Sequence, residues 1–307
     1  MTASRSGRPI VVIGSINTDF VLRTPHIPGP GETVLGSDLL TIPGGKGANQ
    51  AVAAARLGGL VHMVGRVGDD PFGAGLREGL AANGVNVDHV SVTPGVASGC
   101  ATILVDRRGE NSIVVSPGSN ARLTAEDVGR AERLIRAASV VVMQLEVPPA
   151  TVRHAVALCR RLGVRTILDP APVPPKGLPR ALYAVGVLMT PNEHEGAQLT
   201  GQRDAAKMAA ALLSQGASTV VLKLGAKGAL IAEGARPPQV VRPFRVRAAD
   251  TTAAGDAFTA ALAVGLSEGM ALDRAVRFAN AAGALCCTRV GAQPALPGRR
   301  DVEQLLR

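Results

Sequence analysis

Residues 250–266 read DTTAAGDAFTAALAVGL, and an apolar helical pattern begins at Asp256 after a run of small and hydroxyl-bearing residues. Because Ala253, Ala254 and Gly255 have almost no side chain, a bulky anion can approach their backbone N–H groups closely. Unpaired amides and the macrodipole of a helix N-terminus favour negative charge at that point. Asp256 would then be a carboxylate beside an anion hole, which suits a general base in phosphoryl transfer. A small-residue turn with an acidic N-cap explains the segment about equally well.

The composition predicts a chain with a large aliphatic core. The 307 residues are 46% hydrophobic, whereas aromatic residues are only 2%, with no Trp and one Tyr. A nucleic-acid platform that stacks bases on aromatic side chains is therefore disfavoured. The net charge of +9 comes from scattered basic residues, which indicates solvated surface with some attraction for phosphates.

Cysteine usage and the lack of long apolar segments favour a cytoplasmic protein without a membrane span. Arg5 and Arg8 precede only a short apolar run, which does not resemble a secretory signal, and no segment approaches the ~20 apolar residues that cross a bilayer. None of the cysteines has CxxC spacing, and the last two are sequence neighbours, so we expect reduced thiols at Cys100, Cys159, Cys286 and Cys287.

Strand-like and helical patterns alternate over the second half of the chain, which predicts an α/β fold with a largely parallel sheet covered by helices. Two further strand-like segments, 229–232 and 240–246, predict an antiparallel margin of this sheet. The alternating strands are expected at 140–143, 165–168, 185–189 and 219–222, and the helices from about 125 and at 151–162, 193–199, 205–214, 256–266, 272–286 and near 302.

The first half of the chain predicts the start of the same sheet and a smaller extended element. The expected elements are strands at 9–14 and 61–64, an extended segment at 34–42 and helices at 48–57 and 71–82. Two β-rich runs within 99–116 flank RRGE as in a hairpin. Because no repeat or interdomain linker is visible, we expect one domain over residues 1–307. Segments of about 17–43 and 97–116 would form a β lid across the open end of the sheet.

Polar groups follow several of these strands, at the edge where open α/β sheets bind ligands. Any one group could be an ordinary loop, but together with the segment at Asp256 they indicate a site at one end of the sheet. The groups are SINTD (15–19), GGKGAN (44–49), QLE (144–146), PNEHE (191–195) and KLG (223–225).

The GGKGAN segment is not a P-loop, because Gly47 stands where that motif needs Ser or Thr, and no GxGxxG fingerprint follows a strand. Glycines on both sides of Lys46 would instead let the backbone come close to a small polyol. Asn17, Asp19 and Asn49 could supply the paired donors and acceptors that sugar hydroxyls need. A flexible turn before a capped helix is the alternative.

Asn192 and Glu195 lie three positions apart at the start of a predicted helix, so they can share one face. An amide oxygen and a carboxylate suit Mg²⁺, which keeps most of its waters and takes few protein ligands. An N-cap followed by an acidic first turn explains the same spacing nearly as well.

Three motifs in this order and spacing resemble the PfkB carbohydrate kinase family: GSINTD with GGKGANQAVAAARLG (14–19, 44–58), PNEHE (191–195) and DTTAAGDAF (250–258). The resemblance covers essentially the whole chain, although AAGD replaces the commoner GAGD. It is strongest to the ribose-phosphorylating members, through PGET, MQLE, LDPAP and TRVGAQPALP (30–33, 143–146, 168–172, 288–297). It implies a three-layer α/β/α sandwich with a mostly parallel central sheet and a small β lid.

The resemblance also implies ATP-dependent phosphorylation of the 5-hydroxyl of D-ribose, with Mg²⁺. Asp256 matches the catalytic base and Ala253, Ala254 and Gly255 match the anion hole. The positions that match sugar contacts are Asn17, Asp19, Gly45, Lys46, Asn49, Glu146 and Asp256. Those that match the nucleotide site are Asn192, Lys223, Gly225, Gly228, Gly255 and Asn280. Asn192 and Glu195 match the element that orders Mg²⁺ through water, and Lys223 replaces a residue that is often Thr.

Members of this family are often activated by a monovalent cation, usually K⁺, beside the anion hole. Ala295 departs from the pattern, because Ser is common there, so one ligand could be lost or replaced by water. The matching ligand positions, several of which act through backbone carbonyls, are Asp250, Thr252, Cys286, Arg289 and Gly291.

The free edge of the lid would also allow strand pairing between two chains, so we expect a homodimer and neither a nucleic-acid nor a membrane partner. Other functions remain open on the sequence. The sugar could be 2-deoxyribose, fructose, ketodeoxygluconate or a nucleoside, and a non-catalytic sugar sensor is a further alternative.

Overall fold

The first strand, β1 (Ile10–Ile13), shows why the main sheet is covered on both faces. Its side chains alternate: Ile10 and Val12 enter one hydrophobic core, and Val11 and Ile13 enter another. All four are buried, as expected of a central parallel strand between two layers of helices. In the computed structural model, which describes residues 7–183 and 186–307, this strand lies inside a nine-stranded sheet.

After β1, the strands of the main sheet are β4 (Val61–Gly68), β5 (Val85–Thr93), β8 (Val140–Met143), β9 (Arg165–Leu168), β10 (Val187–Met189), β11 (Thr219–Lys223), β12 (Ala229–Glu233) and β13 (Gln239–Val241). They lie in the order β13-β12-β11-β10-β9-β8-β1-β4-β5. Across the sheet, from β5 at one edge to β11, neighbouring strands pair parallel. Strands β11, β12 and β13 at the other edge pair antiparallel, so the predicted antiparallel margin is confirmed.

Helices cover both faces of this sheet and complete the predicted three-layer α/β/α architecture. The core on one face is shared by α1 (Lys46–Arg56), α2 (Gly73–Ala82), α8 (Ala254–Ser267), α9 (Leu272–Cys286) and α10 (Arg299–Leu306). The other face carries α3 (Ala125–Arg130), α4 (Glu132–Ala137), α5 (Pro149–Leu162), α6 (Glu193–Thr200) and α7 (Ala205–Ser214). Among the described residues, no helix is both long and apolar enough to cross a bilayer.

A second, four-stranded sheet is formed by the segments that were expected to make the lid. It consists of β2 (Asn17–Arg23), β3 (Leu40–Gly44), β6 (Gly99–Val105) and β7 (Asn111–Ser116), in the order β3-β2-β6-β7. The hairpin predicted around RRGE is confirmed, because β6 and β7 pair antiparallel on either side of it. Every residue of β7 is exposed, and β2 starts only a few residues after β1 ends.

Some element predictions need correction. The strand expected at 240–246 ends at Val241. Pro243 has no N–H to continue the ladder. Asn280 Nδ2 also donates hydrogen bonds to the carbonyl oxygens of Val241 and Arg242, at 3.2 and 3.1 Å. The extended segment at 34–42 is a strand only from Leu40 onward.

Three other elements differ from the prediction. The helix expected from about 125 is two short helices, α3 and α4, which meet at Ala131. Strand β5 was not predicted at all. Its sequence VNVDHVSVT does alternate valine with polar residues, but the alternation breaks at Asp88 and His89, where the register with β4 also shifts. The strand expected at 185–189 is described only from Val187, and its first residue, Val185, lies outside the described residues.

Parallel pairing brings the carboxyl ends of β1, β8, β9, β10 and β11 to one edge of the main sheet. Ser15, Gln144, Asp169, Thr190 and Lys223 stand at or just after these ends. The N-termini of α1 and α8 reach the same region, since Asn49 and Asp256 are hydrogen-bonded. The polar groups expected to gather at one end of the sheet therefore do so.

Candidate active site

The N-terminus of α8 has an unusual backbone. Ala253, its N-cap, has φ 59° and ψ 7°, and it is the only residue other than glycine with positive φ in the described part of the chain. This left-handed conformation is costly for a residue with a β-carbon. It reverses the chain so that the helix begins directly at Ala254.

Only some of the predicted anion-hole amides are free. The N–H of Ala254 donates to the carbonyl of Thr251 at 3.2 Å. Within the described residues, the N–H groups of Ala253 and Gly255 have no acceptor in the chain. Two amides beside a helix N-terminus are therefore available to an anion.

Asp256 lies in the first turn of α8 with only 6% of its surface exposed. Asn49 Nδ2 donates to Oδ2 at 3.0 Å and Gln50 Nε2 donates to Oδ1 at 2.9 Å. The pKa of Asp256 is raised to about 6, and burial is the main cause. The Lys46 charge acts to lower this pKa, and the Asp169 charge acts to raise it. This carboxylate is oriented by two amides and titrates close to neutral pH, as a general base should.

A buried polar network lies behind this carboxylate, and sequence reasoning missed most of it. Gln50 Nε2 also donates to Asp169 Oδ2 at 2.9 Å, and Gln144 Nε2 donates to Gln50 Oε1 at 2.6 Å. Lys223 Nζ forms an ion pair with Asp169 Oδ1 at 2.8 Å. The only sequence signal for Asp169 was its place directly after a predicted strand, within LDPAP.

The GGKGAN segment, residues 44–49, is called the polyol loop below. It folds tightly over the residues that follow β1 and start β2. A β-carbon on Gly44 would lie 2.0 Å from Asp19 Oδ2, and Gly45 has φ 87°, so both positions need glycine. Glu146 Oε2 accepts from the N–H of Lys46 at 3.1 Å and from the hydroxyl of Ser15 at 2.5 Å. Glu146 belongs to the polar group predicted after β8, and only its role as a sugar contact came from the resemblance. In the structure it faces the loop that the residues themselves had indicated.

Side chains in this loop offer both donors and acceptors. Asn49 Oδ1 is buried without a hydrogen-bond partner, so it is an acceptor available to a ligand. Asn17 is held by Asn120, whose Nδ2 donates to Asn17 Oδ1 at 2.7 Å. Asn120 was not predicted, and it lies in a 3₁₀ turn after β7 that carried no recognisable motif.

Lys46 is surrounded by carboxylates. Burial alone would lower the pKa of Lys46, but the charges of Asp256 and Glu146 outweigh it and the pKa is raised. Burial also raises the pKa of Asp19 to about 7, assisted by Glu146 and Asp256 and opposed by Lys46. The loop is thus a small, polar, mainly acidic environment around one ammonium group.

A cavity of about 580 Å³ opens beside the anion-hole end of α8. Its lining includes Lys223, Gly225, Gly228, Gly255 and Asn280, which are five of the six residues predicted to hold the nucleotide. Phe244 and Phe258 also line it, and neither was predicted. Its size and mixed polar and apolar lining suit a nucleotide.

Asn192, the sixth predicted nucleotide residue, is not in the cavity lining, but it forms an isolated β-bridge with Lys223, which is. It also forms a reciprocal capping box with Glu195. The N–H of Asn192 donates to Glu195 Oε2 at 2.8 Å, and the N–H of Glu195 donates to Asn192 Oδ1 at 2.8 Å. Asn192 is therefore the N-cap of α6, which was the alternative interpretation of this spacing. Burial raises the pKa of Glu195, although the Lys223 charge acts in the opposite direction.

This donor set fits Mg²⁺ that is held mainly by a nucleotide. In the described ranges, no group of three or more His, Cys, Asp or Glu side chains is arranged to hold a metal ion directly. A partly buried carboxylate such as Glu195 suits the waters of a Mg²⁺ ion carried by phosphates.

The residues suggested for a monovalent cation gather around the loop before α8. Asp250 Oδ2 accepts from the N–H of Gly291 at 2.8 Å, and its Oδ1 accepts from the Thr252 hydroxyl at 2.7 Å. Cys286 Sγ lies 3.5 Å from the carbonyl oxygen of Thr252. The Arg289 guanidinium instead points to Asp301, with Nη2 3.7 Å from Oδ2. Only the backbone of Arg289 remains near this loop, where its N–H donates to the carbonyl of Cys286.

Two features of this loop bear on cation binding. Burial works against ionisation of Asp250, yet the N–H groups of Gly291 and Thr252 hold its pKa below its usual range. Ala295, where the resemblance had led us to expect Ser, is fully buried. It therefore presents a methyl group where a hydroxyl could have been a ligand.

Comparison with known proteins agrees with this geometry. Residues 8–299 match the family described as pfkB family carbohydrate kinase. The ribokinase of Bacillus subtilis (strain 168) is 41% identical over 304 residues, covering 97% of this chain and 99% of the relative. The deoxyribokinase of Salmonella typhi is 35% identical over 303 residues, covering 97% and 98%. The structure of Arabidopsis thaliana ribokinase complexed with ribose and ATP superposes with a TM-score of 0.87 at 32% identity, covering 98% and 99%.

Proposed function

Because this chain belongs to the pfkB family of carbohydrate kinases, we propose that it transfers the γ-phosphoryl group of ATP to O5 of D-ribose. The observation that carries the proposal is the position of Asp256. Its carboxylate lies in the first turn of α8 and is bonded to Asn49 of the polyol loop, while the preceding residue, Gly255, lines the 580 Å³ cavity. Ribokinases that resemble this chain over nearly their full length support ribose as the sugar.

The reaction would need little covalent chemistry from the protein. The O5–H proton would pass to Asp256 as the O5–P bond forms and the bond from the γ-phosphorus to ADP breaks. The free amides of Ala253 and Gly255 would stabilise the charge on the transferred group. Ala254 would contribute through its small size, since its own N–H is already bonded to Thr251.

Sugar recognition would use the polyol loop and its neighbours. The acceptor atom Asn49 Oδ1 and the carboxylates of Asp19 and Glu146 would receive hydroxyl protons, while Asn17 and Lys46 would supply donors. The backbone of Gly45 would allow close approach. The polar character of this lining favours a small polyol over a nucleoside, whose base would need an apolar pocket beside the sugar.

ATP would occupy the cavity beside α8, near Gly225, Gly228 and Asn280. When bound with the nucleotide, Mg²⁺ would neutralise part of the phosphate charge, and Asn192 and Glu195 would hold its waters. The second sheet would act as a lid over the bound sugar, and closure would exclude water from the transferred phosphoryl group. Residues 1–307 would form a single kinase domain with this lid inserted in it.

Three finer features belong to the same proposal. K⁺ would bind at the loop formed by Asp250, Thr252, Cys286 and Gly291, with the backbone of Arg289. The protein would be cytoplasmic, as reduced thiols suggest, with no nucleic-acid or membrane partner. It would be a homodimer through the lid, whose exposed apolar residues include Leu35, Ile113 and Val114.

An assay of ADP release against a panel of sugars, with and without K⁺, tests the proposal. D-ribose should give the highest kcat/KM, ahead of 2-deoxyribose, fructose, ketodeoxygluconate and adenosine. The similarity to a deoxyribokinase makes 2-deoxyribose the main rival. A higher kcat/KM for 2-deoxyribose would reassign the substrate, and ribose binding without any ADP release would indicate a sensor.

A further inference from the structure

Lys223 is the last residue of β11, and its ammonium group is anchored by a buried carboxylate. Nζ lies 2.8 Å from Asp169 Oδ1, and the side chains of Lys223 and Asp169 are 11% and 2% exposed. An ammonium group has three N–H donors, and Asp169 takes one of them. Among the described residues no other hydrogen-bond acceptor for Lys223 Nζ is present. Two donors therefore remain for a ligand.

The free side of this ammonium faces the N-terminus of α8. Lys223, Ala254 and Gly255 line the same 580 Å³ cavity. A β-carbon placed on Gly255 would lie 3.4 Å from Lys223 Nζ, so this cation stands directly beside Gly255, whose N–H has no acceptor among the described residues. A lysine cation, a free amide and a helix N-terminus therefore converge on one point, and all three favour an anion.

Asp169 cannot follow Lys223 if the lysine moves, because other contacts hold it. Gln50 Nε2 bonds to its Oδ2 at 2.9 Å, and the hydroxyl groups of Thr190 and Thr259 lie 3.4 and 3.5 Å from its carboxylate oxygens. The same Gln50 amide bonds to Asp256. Asp169 thus fixes the cation at a set distance from the general base.

We propose that Lys223 is a catalytic cation that stabilises the charge on the transferred phosphoryl group, and that Asp169 is the positioning residue that holds it there. The inference rests on the proposed kinase function and assigns a role that goes beyond holding the nucleotide. Charge that develops in a transition state is stabilised most by groups already oriented toward it in a site with little water. An ammonium group pinned by a buried carboxylate meets that condition.

The simpler alternative is that Lys223 only neutralises the buried charge of Asp169. The two roles make different predictions for a neutral pair. If the lysine only compensates the carboxylate, then Asp169→Asn combined with Lys223→Thr should restore normal turnover, because neither charge remains. If the lysine acts on the phosphoryl group, the double variant should remain slow.

The experiment compares Lys223→Met, Asp169→Asn and the double variant Asp169→Asn/Lys223→Thr, with Lys227→Met as a matched control. Lys227 is an exposed lysine in the adjacent turn that pairs with Glu193. We expect Lys223→Met to lower kcat by about 10²-fold, while the Kd values of ribose and ADP, measured by calorimetry, change less than about threefold. Asp169→Asn should lower kcat by about 10-fold. The double variant should be no faster than Lys223→Met.

Recovery of wild-type kcat in the double variant would overturn the proposal. So would a raised KM for ATP at unchanged kcat in Lys223→Met, which would assign Lys223 to nucleotide binding alone. If the Met variant does not fold, as judged by urea unfolding, Lys223→Thr gives the same comparison. All variants are assayed with whichever sugar the wild type turns over fastest, so a wrong assignment of ribose would be seen in the wild type and kept apart from this result.

Discussion

The side-chain amide of Gln50 donates a 2.9 Å hydrogen bond to the carboxylate of Asp256, across 206 positions of sequence. Gln50 lies on α1, directly after the polyol loop, and Asp256 lies in the first turn of α8. Gln144 donates to Gln50 Oε1, which orients the NH₂ group of Gln50 toward the carboxylate. The two helices that carry the proposed sugar and phosphate sites are therefore connected through the proposed base.

Replacement of Asp256 tests the base directly. Asp256→Asn keeps the shape of the side chain but cannot accept the hydroxyl proton, so we expect kcat to fall by about 10³-fold. The Kd values of ribose and ADP, measured by calorimetry, should change less than about threefold. Asp38→Asn, at an exposed position, is the control and should be as active as the wild type. Turnover within tenfold of wild type in Asp256→Asn would remove the assignment.

Replacement of Gln50 tests the connection between the two helices. Gln50→Met has a similar shape but leaves Asp256, Asp169 and Gln144 each without one hydrogen-bond partner. We expect a loss of about 2 kcal/mol in the free energy of unfolding, measured in urea, and a kcat lowered by about 10-fold. The exposed Gln202→Met is the matched control. An unchanged kcat would show that Asp256 does not depend on this contact.

The pH dependence of stability tests the electrostatics of the polyol loop. The folded-state pKa of Asp19 is raised to about 7, so its contribution to stability is fully present below the unfolded pKa and is lost as pH rises through about 7. Asp19→Asn removes the buried charge. It should therefore raise the free energy of unfolding at pH 8 by about 3 kcal/mol relative to the wild type, and much less at pH 5. Equal effects at both pH values would contradict the raised pKa.

Activity should have the opposite pH dependence. Asp19 and Asp256 can accept protons only when ionised, and the pKa values of these groups are raised to about 7 and about 6. We therefore expect kcat/KM for the sugar to fall as pH decreases below 7, and to fall more steeply below 6. A profile of kcat/KM between pH 5 and 9 measures this. A flat profile down to pH 5 would show that neither carboxylate needs to be ionised.

The left-handed backbone at Ala253 predicts a stabilising substitution. Ala253→Gly removes a conformational cost of about 1 kcal/mol, partly offset by the greater entropy of glycine in the unfolded chain. We expect the free energy of unfolding to rise by about 0.5 kcal/mol, with kcat unchanged or higher. The control is Ala210→Gly, on the exposed face of α7, which should cost about 1 kcal/mol. A comparable loss of unfolding free energy in Ala253→Gly and Ala210→Gly would show that the backbone at Ala253 is not strained.

The exposed lid strand predicts how two chains would associate. Val114 on β7 is 70% exposed and Ile113 is 51% exposed. Sedimentation should give the mass of a dimer for the wild type and of a monomer for Val114→Asp, because the charge would be buried in the interface. Val240→Asp, on β13 with 57% exposure of the valine, should remain a dimer. A monomeric wild type would remove the proposal.

The sequence alone determined the features that depend on local composition. Alternating apolar segments predicted the α/β fold, because buried parallel strands and the helices beside them have distinct periodicities. Small residues before Asp256 and glycines around Lys46 marked two places where a ligand can approach the backbone. Strand β5 was missed because its valine alternation is interrupted at Asp88 and His89. Strand β13 was predicted too long, because the hydrogen bonds from Asn280 that help to end it come from a distant helix.

Only the tertiary structure decided which polar groups meet. Asp169 carried no more signal than its place after a strand, yet the order of the strands in the sheet puts it against Gln50, 119 positions away, and Lys223, 54 positions away. Asn120 meets Asn17 in the same way. These contacts depend on long-range strand pairing and helix packing, whose energies come from surface buried between distant segments and not from the residues next to each group.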